Sequence, residues 1–321
     1  MLSFPNNGVG GRVVELMQTA QAGLVQILEE IDQDQQFNEH TWDRPGGGGG
    51  RSYLLENGSI FERAGVNVSV VHGGKAPPSL AKRHPIVSDL PFCATGLSVV
   101  IHPRNPFVPA FHANFRYFEV VHQLGNKPVA WWFGGGADLT PSYPFEEDVH
   151  YFHSKLFELC DRHQVADYSK FKTTCDAYFI IPHRNEMRGV GGIFYDTLSA
   201  PDEGNFEEEY AFTADGIETL YEAYLPLVEK HKKALYSERE REWQLYRRGR
   251  YAEFNLVYDR GTLFGLQTRG NIEAILMSMP PLAAWRFDLI PNPGSPEVET
   301  LRFFQPRDWI SDTNANYRRG E

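Results

Sequence analysis

Between Gly96 and Val120 polar and apolar side chains alternate with a period of two on either side of a proline-rich tip, Pro103–Pro109, a pattern that paired β-strands satisfy and a helix does not. Successive side chains of a strand point to opposite faces. In Gly96–His102 the even positions are Ser98, Val100 and His102, against Leu97, Val99 and Ile101. In Phe111–Val120 they are His112, Asn114, Arg116 and Phe118, against Phe111, Ala113, Phe115 and Tyr117. If the tip lets the two strands pair as neighbours, Ser98, His102, His112, Asn114 and Arg116 share one surface. A guanidinium, two imidazoles, an amide and a hydroxyl suit an anionic, aromatic-sized ligand; the competing reading is the ordinary solvent face of a half-exposed sheet.

The remaining periodicities supply layers for such a sheet. Val13, Leu16, Met17, Ala20, Leu24, Ile27, Leu28 and Ile31 recur at spacings of three and four, which predicts an amphipathic helix docked on a core. Further helices are expected over Phe145–Asp161, Tyr168–Tyr178, Glu207–Tyr246 in pieces around Pro226, and Glu297–Phe304. β-Branched and aromatic content predicts further strands at Ile60–Val71, Val129–Phe133, Val190–Tyr195 and Ala252–Tyr258. Several of these are apolar on both sides, so helices should cover both faces, and the short step from Val121 to Val129 favours antiparallel neighbours. The expectation is an α+β fold: one large antiparallel β-sheet covered by helices on both faces. The 321 residues allow one large domain or two small ones, but without a linker-like tract the reading is a single domain, 1–321.

Charge and cysteine content narrow the partners. Lys and Arg number 31 against 42 Asp and Glu, a formal charge of −11, which argues against a nucleic-acid surface and requires any anion site to be a local arginine cluster. Three cysteines, Cys93, Cys160 and Cys175, without CxxC spacing point to reduced thiols rather than a disulfide or thiolate framework. No apolar run approaches the ~18 residues of a membrane span, and the first residues lack a leader pattern, so a cytoplasmic protein is expected.

Several motifs bear on chemistry. Gly46–Gly50 is either a backbone able to close over a ligand or a flexible surface loop. Trp131–Pro141 leaves a strand through three glycines and presents Asp138, either as an acceptor in a cleft or as the cap of a short turn. The cations of His183–Arg188 and of Tyr258–Thr262 read as ligand groups or as structural ion pairs, and Glu238–Arg250 as a solvated helix face. There is no HExxH, GxSxG, P-loop or dinucleotide fingerprint.

Taken together, segments 41–73, 96–120, 131–143, 175–196 and 244–285 resemble the oxygen-dependent coproporphyrinogen III oxidases over nearly the whole chain. The resemblance implies a homodimer, with residues 251–286 as the dimerisation region. It also implies oxidative decarboxylation of two propionates of coproporphyrinogen III to vinyl groups, with O2 as co-substrate and no required cofactor; a divalent metal is left open. On the matching positions it makes Arg116 a propionate anchor, Asp138 an acceptor for pyrrole N–H groups that stabilises charge, and His112 the proton donor, with Ser98, Asn114 and Phe115 lining the substrate. His102, His112, His153 and His183 match histidines suggested as metal ligands in similar bacterial proteins. One departure concerns a loop in which the family commonly has Gly-Gly-Arg or Gly-Ser-Arg. Here Arg269-Gly270-Asn271 displaces the cation by two positions, leaving backbone N–H groups to meet a carboxylate. The alternatives are a tetrapyrrole carrier without chemistry and a metal-dependent oxygenase acting on another substrate.

Overall fold

The computed structural model describes residues 9–75, 90–122, 128–198, 204–267 and 270–310. A helix, α1 (Val9–Asp32), leads into a meander of six strands: β1 (Asn38–Asp43), β2 (Gly48–Glu56), β3 (Phe61–Gly73), β4 (Phe92–Pro103), β5 (Ala110–Val120) and β6 (Ala130–Thr140). Next come α2 (Glu146–Asp161), α3 (Tyr168–Tyr178) and the short β7 (Ile180–Ile181) and β8 (Glu186–Met187), before β9 (Gly191–Tyr195) completes the sheet beside β6. All seven strands, in the order β1-β2-β3-β4-β5-β6-β9, pair antiparallel. Helices α4 (Phe206–His231), α5 (Glu238–Val257), α6 (Arg260–Gln267), α7 (Ile272–Leu276) and α8 (Pro296–Leu301) follow.

The odd-numbered face of β4 and β5 is the core face. Leu97, Val99, Ala113 and Phe115 pack with Val13, Met17, Leu24 and Leu28 of α1 and with Ile217 and Leu220 of α4, all buried. One polar residue of α1 enters this layer: Gln21 donates to the carbonyls of Arg51 and Val66, so its amide is satisfied inside the core. Helical segments also lie on the opposite face, over one end of it. There Met277 lies over Gly65, the Tyr251 ring meets His102 edge-on at 4.9 Å, and His102 Nε2 reaches the carbonyl of Ser278 at 2.9 Å.

Some expectations change. The predicted strand Ala252–Tyr258 is the last part of α5, and the predicted break at Pro226 is absent: α4 runs through it, and the chain restarts at Ser237, whose hydroxyl and Glu240 form a capping box. Glu238–Arg250 is not a solvated face. Arg247, Arg248 and Arg250 are buried, because Glu62 takes Arg248 at 2.6 Å while Glu186 takes Arg247 and Arg250 at 3.0 and 2.9 Å. Gly46–Gly50 forms a hairpin turn and the start of β2 rather than a loose loop, with Gly47 and Gly48 at φ of 98° and 84°. The strand pattern from 38 to 56 escaped detection because polar and glycine-rich β1 and β2 lack the apolar alternation.

Candidate active site

Strand register writes the site as three transverse rows on the even face of β4 and β5. The first is Gly65, Val100, His112, Asp138, Gly192; the second is Ser52, Asn67, Ser98, Asn114, Gly136, Phe194; the third is Gly50, Ser69, Gly96, Arg116, Gly134. Residues in register project to the same side. Glycine and serine fill most of these positions; Trp42 lies over Gly50 and Met277 over Gly65, and Arg116, Asn114 and His112 rise from the floor between them. One end is walled by the stacked rings of Phe92, Phe118 and Trp132, with centroids 5.0 and 4.7 Å apart.

Two of the three glycines of β6, Gly134 and Gly136, have local reasons. A Cβ at position 134 would sit 2.4 Å from the Asp196 carbonyl oxygen and 2.8 Å from Arg116 Nε, so only glycine lets the guanidinium lie across the strand. At 136 a Cβ would meet the Ile193 carbonyl oxygen at 2.3 Å. The strand therefore continues through its glycines, and Asp138 is a strand residue rather than a turn cap.

Asp138 is 2% exposed, and both its oxygens are engaged. Oδ1 lies 2.7 Å from His112 Nδ1, and Oδ2 accepts from Arg188 Nη2 at 2.6 Å. Burial pushes its pKa up, but the Arg188 charge and the His112 hydrogen bond outweigh this and hold it below the ordinary 3.8. An ionised carboxylate can only accept, so the proton of that contact sits on His112 Nδ1 and leaves Nε2 for a ligand. His112 is partly exposed, at 24% of its side chain. Arg188 is buried against Phe179, Tyr251 and Phe254, 4.2, 4.4 and 5.0 Å from the ring centroids, and donates also to Asn255 at 2.7 Å. This aromatic cage stabilises a cation deep in the protein.

Arg116 lies at the other side of the floor, and its Nη2 donates to Asp196 Oδ1 at 3.0 Å. Arg260, at the start of α6, takes the same carboxylate at 2.9 and 3.2 Å. Ser98, His112, Asn114 and Arg116 thus lie on one face, as the alternation requires, and His102, on the same face, is buried under Ser278 and Tyr251; register adds Asp138 beside His112, with Arg188 behind it and Arg260 beside Arg116.

A family model, Coproporphyrinogen III oxidase, matches residues 12–309. The chain belongs to this family.

Some positions singled out through the family sit differently. The Phe115 side chain points to the helix-covered core, where it is 1% exposed, because it is an odd residue of β5; only its backbone borders the floor. Asn271 caps α7 by accepting from Ala274 N at 2.9 Å, and Gly270 N donates to the Gly265 carbonyl, so both groups are committed within their own loop. Arg269 lies outside the described residues. The four coproporphyrinogen-oxidase histidines do not converge: among the described residues no group of three His, Cys, Asp or Glu side chains is placed to hold a metal ion. His153 is fully buried, with its ring nitrogens on the Tyr168 hydroxyl and the Val190 carbonyl, and burial pushes its pKa down to about 3. His102 is buried under Ser278 and likewise pushed down to about 3 by burial and by Arg248. His183 bridges the Tyr258 hydroxyl and Glu253. These residues do not fit a shared metal centre.

Arg188, Asp196, Arg260, Asn255 and Asn67 were not singled out as site residues in the sequence. Asn67 follows the alternation of β3 and could have been placed on the floor by parity. Arg188 and Arg260 stood in cation-rich motifs whose partners sequence cannot name, and nothing local marks Asp196.

Proposed function

We propose that this protein carries out the oxygen-dependent oxidative decarboxylation of two propionate groups of coproporphyrinogen III, giving protoporphyrinogen IX in haem biosynthesis. The observation that carries the reading is the placement of Arg116, His112 and Asp138 around a floor cleared by glycine and serine, which suits a flat macrocycle with carboxylate arms. Each propionate, –CH2–CH2–COO⁻, becomes –CH=CH2 with release of CO2, one proton and two electrons. Two such steps deliver the four electrons that reduce one O2 to two waters. Arg116 holds a propionate through its guanidinium fork, and Asn114 and Ser98 border the ring. His112 transfers protons through Nε2. Asp138, engaged with both His112 and Arg188, orients the imidazole rather than meeting pyrrole N–H groups directly, which revises the role the family resemblance implies. The porphyrinogen supplies the electrons, so no cofactor beyond O2 is required in this scheme.

The deciding experiment is mass analysis after aerobic and anaerobic incubation with coproporphyrinogen III. Two successive losses of about 46 Da, seen only with air, are expected for the net removal of CO2 and two hydrogens. A carrier would give no mass loss in either condition. A metal-dependent oxygenase would lose activity on exhaustive chelation.

The working form is a homodimer joined through residues 251–286. Leu256, Val257, Leu266, Ile272, Leu282 and Trp285 all lie in this stretch and expose between 39% and 57% of their surface, an apolar content unusual for a free surface. The compartment is the cytoplasm: Cys93, Cys160 and Cys175 are buried free thiols, and burial pushes the first two up to about 12. Among the described residues no helix is long and apolar enough to cross a membrane.

A further inference from the structure

We infer that Asp196 is a positioning residue that joins Arg116 and Arg260 into a clamp for a single substrate carboxylate. The inference rests on the porphyrinogen reading above and adds a residue that neither the alternation nor the family resemblance selects. Asp196 directly follows β9, and its backbone is fixed there: its carbonyl oxygen packs against Gly134 and lies 3.4 Å from Arg116 Nη2. Arg116 Nη2 is met by three acceptors, the carbonyls of Tyr195 and Asp196 at 3.5 and 3.4 Å and the Asp196 carboxylate at 3.0 Å. Among the described residues Nη1 makes a long contact, 3.4 Å, to Asn114 Oδ1. The side chain is 35% exposed. The Nη1 edge is therefore the one offered to a ligand on the floor.

Arg260 completes the arrangement. Its two terminal nitrogens grip the same carboxylate, and both guanidiniums lie over Phe194, 5.7 Å from its centroid for Arg116 and 5.5 Å for Arg260. The neighbouring Asp259 is turned to the Tyr178 hydroxyl and the Thr262 N–H, not into the clamp. Among the described residues two guanidiniums share the Asp196 carboxylate, a net positive pair suited to a substrate carboxylate. Without Asp196 two long cationic side chains would repel each other and lose their common geometry, so ligand binding would have to order them.

The test compares wild type, Asp196→Asn, Asp196→Glu, Arg260→Met and the double variant Asp196→Asn/Arg260→Met. The readouts are steady-state kinetics with coproporphyrinogen III and direct binding of coproporphyrin III, with its tetramethyl ester as the uncharged control. Asp196→Asn should raise KM and the coproporphyrin Kd about tenfold with kcat changed less than threefold, and Asp196→Glu should recover part of the loss. The double variant should be no worse than the weaker single variant, and ester binding should not change. Thermal unfolding should stay at the wild-type temperature, since Asp196 is 36% exposed. Unchanged or tighter coproporphyrin binding by Asp196→Asn, in an enzyme whose wild type binds and turns over, would overturn the clamp alone. A wild type that neither binds coproporphyrin III nor converts the porphyrinogen would overturn the clamp and the proposed function together.

Discussion

His112 and Asp138 face each other across β5 and β6, Nδ1 to Oδ1 at 2.7 Å, with the second Asp138 oxygen closed off by Arg188. In the proposed reaction the carboxylate acts on substrate through the imidazole. Asp138→Asn should lower kcat more than tenfold, a cost above about 1.4 kcal/mol in the barrier, with KM within threefold of wild type. A variant that raises KM and keeps kcat would instead assign Asp138 to substrate binding.

Arg116 and Gly134 form one functional unit, because the guanidinium crosses the strand where a Cβ would stand. Arg116→Ala should weaken substrate binding more than tenfold. Gly134→Ala should raise KM in the same direction by displacing the guanidinium, with kcat less affected. Wild-type KM in folded Gly134→Ala would show that the guanidinium has other room.

Arg188 balances a buried carboxylate, so Arg188→Met should leave Asp138 uncompensated and destabilise the fold by about 3–5 kcal/mol near neutral pH. The folded Asp138 titrates below its unfolded value, so the stability it contributes is fully present above about 3.8 and is lost as pH falls through the lower folded pKa. The gap between wild type and Asp138→Asn in urea unfolding should accordingly shrink in acid. A gap independent of pH would contradict the pairing.

Glu119, buried on the core face beside Tyr117, behaves in the opposite sense. Burial raises its pKa to about 7, with the Tyr117 hydroxyl bond at 3.0 Å opposing. The folded state therefore holds its proton more tightly than the unfolded chain, and stability declines as pH rises from about 4.5 through about 7. Glu119→Gln should be stabilising at pH 8 relative to pH 5 by up to about 3 kcal/mol, read from urea midpoints. Equal effects at the two pH values would place a compensating cation beside the carboxylate.

Val257 and Ile272 are 54% and 57% exposed within the proposed dimerisation stretch. Val257→Glu with Ile272→Glu should shift sedimentation from dimer to monomer at micromolar concentration while circular dichroism stays unchanged. A monomeric wild type, or a double variant that still sediments as a dimer, would move the interface elsewhere or remove it.

Strand alternation was enough to put Ser98, His112, Asn114 and Arg116 on one side of a sheet, because the pleat of an extended backbone is a local property and fixes facing without any knowledge of partners. The α1 stripe, α2 and α3 were legible for the same reason. The alternation also separated Phe115 from that set, against the role suggested by resemblance. Hidden from the linear text were the matters settled by groups far apart in the chain. The arginines of α5 read as solvated because their carboxylates come from β3 and β8, and Ala252–Tyr258 read as a strand because the helix it ends is held by those same pairs. Asp138 finds its buried counter-charge in Arg188, 50 residues away, and Arg116 an acceptor in Asp196, 80 residues away. Local geometry decides which way a side chain points; which charge awaits it there is decided only when the chain closes on itself and water is removed from between them.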